Sequence, residues 1–291
     1  MKVLITGAGG QVARALTASA PPDKTITALS RQELDIGDER AVGAAVEHYL
    51  PDVIINGAAY TAVDRAEKEP DEAQRINAAA PRYLAAAAAR HGARLLHIST
   101  DFVFDGNSSK PYVPDSPTHP LSTYGASKRA GEEEVLRLLP DRSLVLRTAW
   151  VYAAQGHNFL RTMLRLMAAN RAVRVVADQV GTPTAARSVA TILWRLADCP
   201  QYSGIHHWTD AGVASWYDFA VAIAEEGAAR GMLPADVDVT PIATEEYPTP
   251  ARRPAYSVLN RCSLAPLGMT PVHWRANLRV VLGELGGISH A

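Results

Sequence analysis

Within its first thirteen residues the chain passes from an apolar run, Val3-Leu4-Ile5-Thr6, through Gly7-Ala8-Gly9-Gly10 into Gln11-Val12-Ala13, the start of an amphipathic stretch. A strand that ends in a GxxGxxA turn and leads straight into a helix leaves little choice of architecture. Gly7 permits the tight turn, Gly10 lets the backbone approach a pyrophosphate, and small Ala13 lets the helix pack on the strand. The phosphate would sit at the helix N-terminus, against the backbone of Gly10, Gln11 and Val12. At the first strand-to-helix junction of an alternating chain, this motif predicts dinucleotide binding.

The alternation continues. Apolar runs at 3–6, 25–29, 53–56, 95–99 and 144–147 read as strands, separated by helical patterns at 11–19, 39–50, 71–91 and 124–139. Strands buried on both faces and joined by helices make a parallel sheet, so the fold class is α/β: a Rossmann-type doubly wound parallel sheet with a smaller C-terminal α+β substrate lobe. The expected division is residues 1–150 for the dinucleotide-binding domain and 151–291 mainly for the second lobe, with segments near 173–200 returning to the first. In that second half, helices are expected at 158–170, 186–196, 216–230 and 272–285, and strands at 173–176 and 204–208. A Pro-rich segment covers 241–254. A cleft between the lobes is the expected ligand site.

A site preferring NADH usually carries an acidic residue at the end of the second strand, where it holds the ribose 2′-hydroxyl. Here that strand ends Ala28-Leu29-Ser30-Arg31. A hydroxyl and a guanidinium suit a 2′-phosphate, so the expected cofactor is NADPH, with NADH as the alternative and Arg31 as plain loop surface the competing view. Asp35 and Ile36 are placed near the adenine.

Further along, Ser99-Thr100-Asp101 closes a strand, and Tyr124-Gly125-Ala126-Ser127-Lys128 follows. At i and i+4 of one helix, Tyr124 and Lys128 share a face. The ammonium would favour the phenolate and lower a pKa that is about 10 when unperturbed, fitting Tyr124 for proton transfer. Thr100, at the carboxyl end of its strand, can bond the same substrate oxygen.

Together the glycine turn, the strand-end Ser-Thr and the Tyr-x-x-x-Lys resemble the extended short-chain dehydrogenase/reductases. Segments 56–64, 99–106, 147–152, 178–184 and 247–254 are similar to those of the dTDP-4-dehydrorhamnose reductase family within them. The resemblance runs nearly the whole length. It implies reduction by NAD(P)H of the C4 carbonyl of dTDP-4-dehydro-6-deoxy-L-mannose to dTDP-L-rhamnose, the final step of dTDP-rhamnose biosynthesis. Tyr124 would protonate the carbonyl oxygen, Lys128 would hold the nicotinamide ribose and tune the tyrosine, and Thr100 would assist. Ala58, Ala59, Tyr60 and Thr61 would line the cofactor, whereas Thr100, Asp101, Phe102 and Trp150 would contact the sugar. Arg253 would meet the diphosphate, as guanidinium fits phosphate bidentately.

Some members of that family are dimers bridged by a divalent metal on glutamates; the matching positions here hold Ala15 and Arg187, so no metal is expected and monomer or homodimer stays open. Two other functions compete: a 4-ketoreductase for a different dTDP-deoxysugar, and a non-catalytic dinucleotide-binding regulatory subunit. Lys+Arg 29 against Asp+Glu 30 gives a net charge of −1, which supplies no bulk field for nucleic acid or anionic lipid. No apolar run approaches the roughly 18 residues of a membrane span, and no signal-peptide pattern opens the chain, so the expected place is the cytoplasm. Cys199 and Cys262 fit neither a disulfide framework nor a zinc site and read as packing residues. His206 and His207 point to opposite faces of a strand in the second lobe and read as structural. Met163, Leu164, Leu166 and Met167 read as core.

Overall fold

A computed structural model of the chain describes residues 1–288. The chain opens with β1 (Lys2–Thr6), α1 (Gln11–Ala18), β2 (Thr25–Leu29), α2 (Glu39–Tyr49) and β3 (Val53–Asn56). Short helices α3 (Val63–Ala66) and α4 (Pro70–Gln74), a π-turn over Arg75–Ala79, and α5 (Ala80–His91) lead to β4 (Arg94–Thr100). Then come α6 (Thr123–Leu138), β5 (Ser143–Thr148), β6 (Val151–Tyr152), α7 (Phe159–Asn170) and β7 (Ala172–Val176). The chain continues through β8 (Val180–Gly181), β9 (Thr184–Ala185), α8 (Ala186–Ala197), β10 (Gly204–His207) and β11 (Ala214–Ser215). It closes with α9 (Trp216–Ala228), β12 (Asp238–Ile242) and α10 (Trp274–Ile288).

Six parallel strands form the main sheet in the order β10-β5-β4-β3-β1-β2. Alternate residues of each strand feed a core on either face. Val3 and Ile5 pack with Leu16 of α1 and Val189, Ile192 and Leu193 of α8, whereas Leu4 packs with Val42 and Val46 of α2 and Leu84 of α5. Because both faces are covered, β3, β4 and β5 are near-continuous apolar runs. A third core, holding Met163, Met167, Phe219 and Leu278 with Leu164 and Leu166 at its edge, builds the second lobe. The chain departs in opposite directions from β1 and β3, so the carboxyl ends of those strands form the switch point where ligands bind in such sheets.

The structure departs from the sequence reading in four places. The helix expected over 71–91 is present, with helical backbone throughout, but it carries an unforeseen π-turn at Arg75–Ala79. Pro81 has no N–H to give to the carbonyl of Asn77, and that freed carbonyl faces Gly131 of α6, where a Cβ would lie 2.0 Å away. The strand at 204–208 belongs to the main sheet: β10 pairs in parallel with β5. There His207 is buried against the carbonyl of Tyr112, while His206 bonds that of Ser203. The start of the Pro-rich segment is strand β12, paired in parallel with β7, and a two-stranded sheet tolerates Pro241 because both its strands are edges. Finally, Cys199 is buried as expected but Cys262 is exposed, on a short 3-10 segment.

Candidate active site

Gly7 adopts φ +73°, and a Cβ there would stand 2.8 Å from the backbone of Ala58, so the turn after β1 closes on the loop after β3 only with glycine. The amide of Gly10 bonds the carbonyl of Gly7 at 2.8 Å. No side chain caps α1, which leaves its first-turn N–H groups for an anion. Beside this turn lies a cleft of about 400 Å³, floored by Gly7, Gly10, Ala58, Ala59 and Tyr60 and rimmed by Ser30, Arg31, Asp35 and Ile36. Its shape, glycine floor and open helix end fit a dinucleotide. Thr61 is exposed and outside the cleft lining. The Gln11 side chain turns toward the second lobe and accepts from Asn158 at 2.8 Å, and Val12 packs under the sheet.

At the adenosine end, Arg31 is 76% exposed and 3.3 Å from Glu72. Asp35 is already engaged by the amide of Gly37 at 2.9 Å and by Arg75 at 3.0 Å; these contacts hold its carboxyl below the usual range although burial opposes them. No carboxylate occupies the place of Ser30, though Glu33 accepts from the Ser30 amide at 2.8 Å.

The groups expected to react gather at the carboxyl end of β4. Thr100 accepts from the amide of Phe102 at 3.2 Å and donates to Asp101 at 3.1 Å, starting the single turn Asp101–Val103. Helix α6 begins with Ser122, which accepts from the amide of Gly125 at 3.2 Å. Glu67 grips the next residue, Thr123, through amide and hydroxyl, both at 2.8 Å. This fixes Tyr124, whose ring meets that of Phe102 edge to face at 5.6 Å. One turn on, Lys128 is buried and donates to the carbonyl of Ile98 at 2.7 Å.

Electrostatically the pair reverses the expectation. Burial pushes the Tyr124 phenol up to about 12; the Thr100 hydroxyl opposes this and the Asp101 charge adds to it. Burial also brings Lys128 down to about 8, with Glu132 opposing. Desolvation dominates both shifts, and neither side chain is among the groups that move the other. Burial likewise raises Asp101 to about 6, only partly offset by Ser257, Thr100 and nearby amides, and its Oδ2 makes no hydrogen bond of ordinary geometry among the described residues.

Trp150, at φ +48° just after β5, lies flat on Trp216 with ring centroids 3.5 Å apart, and its indole crosses Gly181. Arg253 is in a forked ion pair with Asp64, at 3.1 and 2.9 Å. Ala15 and Arg187 line a separate hollow of about 420 Å³, where Arg187 is 3.7 Å from Glu284. Sequence reading missed Trp216, Asp64, Glu67 and Asn77. The Asn77 side chain bonds the backbone of Tyr60 in both directions at 2.9 Å and donates to Ser127 at 3.1 Å, tying the cofactor loop to α6. An amide inside a helical pattern, four residues before a proline, was its only signal.

The family described as "RmlD substrate binding domain" matches residues 1–286. A dTDP-4-dehydrorhamnose reductase of Burkholderia thailandensis is 45% identical over 98% of this chain and 99% of its own length. Among solved structures, a dTDP-4-dehydrorhamnose reductase from Clostridium acetobutylicum superposes with a TM-score of 0.92 at 40% identity, covering 98% of this chain and 100% of that one. One from Bacillus anthracis, in complex with NADP, gives 0.91 at 36%, covering 97% and 99%.

Proposed function

Because the chain belongs to the RmlD substrate binding domain family, whose reductases it matches end to end, we propose that it is an NAD(P)H-dependent oxidoreductase. It reduces the C4 carbonyl of dTDP-4-dehydro-6-deoxy-L-mannose to give dTDP-L-rhamnose, the last step of dTDP-rhamnose formation. The observation that carries this reading is the placement of Thr100, Tyr124 and Lys128 at the end of β4, one strand from the switch point and its glycine-floored cleft.

Ser30 and Arg31 favour NADPH, with NADH as the weaker cofactor. Gly7, Gly10, Gln11 and Val12 hold the pyrophosphate by backbone, Asp35 and Ile36 flank the adenine, and Ala58, Ala59, Tyr60 and Thr61 follow the chain of the cofactor toward the nicotinamide. Bound there, the nicotinamide supplies hydride. With a pKa near 12, Tyr124 keeps its proton at neutral pH and gives it to the oxyanion that develops at C4; an alkoxide is the stronger base, so the transfer runs downhill. Thr100 donates a second hydrogen bond to the same oxygen. Lys128 holds the ribose, and Asp101, Phe102 and Trp150 wall the sugar. Residues 1–150, with α8 and β10 returning to them, carry the cofactor; the rest of 151–291 serves the dTDP-sugar, whose diphosphate meets Arg253. No described helix is long and apolar enough to cross a membrane; the cytoplasmic setting is proposed from the NAD(P)H and sugar-nucleotide chemistry.

The test follows NADPH consumption with the 4-keto sugar nucleotide generated in place, NADH run alongside, and the product identified. Conversion to dTDP-L-rhamnose, faster with NADPH, is the expected result. NADPH binding without consumption would overturn this substrate and leave another dTDP-deoxysugar or a regulatory role.

A further inference from the structure

Asp64 stands in α3, the single turn that follows the cofactor-lining loop. Its carboxylate accepts from Nη1 of Arg253 at 3.1 Å and from Nη2 at 2.9 Å, and Oδ1 also accepts from the amide of Ala251 at 3.2 Å. The partners are 189 residues apart in sequence. Nη1 is further occupied by the Thr249 hydroxyl and the Ala251 carbonyl. A guanidinium has five N–H groups in a fixed fork. This network uses both on Nη1 and one on Nη2. The Nε–H and the second Nη2–H, parallel on the adjoining edge, have no partner among the described residues, and the Arg253 side chain is 24% exposed. Asp64 therefore occupies the head of the fork and leaves a second two-donor edge of the geometry that fits phosphate.

The segment that carries Arg253 is tied to the catalytic wall. From Arg253 the chain passes Gly106, where a Cβ would touch Pro254 at 2.8 Å, and reaches Ser257 beside Asp101. Four residues span at most about 14 Å, the scale of a hexose with its diphosphate. On the other side of the ion pair, Val63 and Ala66 of α3 pack with Phe102 against Tyr124. Both partners are thus anchored on the groups that surround the reacting carbon.

We propose that Asp64 is a positioning residue for the nucleotide sugar: it holds Arg253 so that the free edge of the guanidinium meets the substrate's diphosphate. This rests on the reading of Arg253 as the diphosphate ligand. The charge of Arg253 survives loss of Asp64; its orientation does not. dTDP, which places its diphosphate at Arg253, therefore suffers; thymidine, which has none, and NADPH, whose diphosphate sits at the glycine turn, do not.

The experiment measures binding of dTDP, thymidine and NADPH to the full chain by calorimetry, together with KM and kcat for the sugar nucleotide. Asp64→Asn is expected to weaken dTDP about tenfold and to raise KM for the sugar by more than it lowers kcat, with thymidine and NADPH binding unmoved. Asp64→Glu, whose longer arm displaces the fork, is expected to weaken dTDP severalfold and carries the test should Asp64→Asn fail to fold. Arg253→Gln and Arg253→Lys run beside them. If neither weakens dTDP, the diphosphate reading of Arg253 fails and the proposal with it. If both do while Asp64→Asn binds dTDP as tightly as the parent or more so, Arg253 stands and the positioning role of Asp64 is overturned. Equal losses for thymidine, NADPH and dTDP mean general loosening and also overturn it.

Discussion

Tyr124 and Lys128 share one face of α6, and a reading by spacing alone gives the phenol a lowered pKa. Burial decides otherwise, since Phe102, Val63 and Ala66 dehydrate the phenol from elements that no local spacing reveals. A tyrosine near 12 is a proton donor and not a standing phenolate, so Tyr124→Phe should cut kcat by roughly 10²–10⁴-fold while leaving NADPH affinity nearly unchanged; turnover close to that of the parent would remove it from proton transfer. Lys128, held down to about 8, sets the alkaline limb. The rate kcat/KM should fall as pH rises through about 8, as the ammonium loses its charge. Stability should move the other way. The unfolded chain keeps this lysine protonated to a higher pH than the folded one, so between about 8 and 10.5 the group contributes rising stability as pH increases. A pH-rate profile beside melting curves separates the two. The positions of Thr100, Tyr124 and Lys128, at a strand end and on one helix face, were legible because short motifs fix them. Asp64 and Trp216 were not, because each acquires its role only by meeting a residue distant in the chain.

At the scale of elements, the strands of the first half were legible almost to the residue, since continuous apolar runs bounded by turns allow few alternatives. The π-turn inside the helix before β4 was not. The helix's alanine-rich pattern carries no mark of the extra residue in each turn of Arg75–Ala79, although Pro81 supplies the cause. That π-turn sends the Asn77 carbonyl toward α6, and Gly131 is the counterpart that accommodates it. The obstruction to a larger residue there is backbone, which cannot swing aside. Gly131→Ala should therefore destabilise by about 3 kcal/mol. Because α6 carries Tyr124 and Lys128, activity should be lost at temperatures below the melting transition; a melting temperature within a degree of the parent would show that α6 can shift to admit the methyl group.

For the whole molecule, the class of fold was legible but the membership of its sheet was not. Strand β10 lies beyond α7 and α8 in the chain, and only the three-dimensional path of α8 across the sheet brings it back to β5. Bonds from Gln11 to Asn158 and from Arg14 to Gln155, at 2.8 and 3.0 Å, join the glycine-turn helix to the second lobe. A dinucleotide bound to the folded chain alone stabilises it by mass action, about 2.7 kcal/mol at a hundred times its Kd. For a protein of this size that corresponds to a rise in Tm of roughly 5 °C. NADPH should produce it more strongly than NADH at equal concentration, and Arg31→Asp should shrink the difference; an unchanged difference would make Arg31 simple surface.

The stack of Trp150 on Trp216 joins the end of a sheet strand to the first residue of a helix in the second lobe, with ring planes 4° from parallel. Two indoles so close share their excited states, so the pair is a chromophore in its own right, with an ultraviolet optical activity that neither ring has alone. Its signal depends steeply on the distance and angle between the rings. A displacement of one lobe against the other as the sugar nucleotide enters would therefore be recorded in the protein's own circular dichroism, with no label attached.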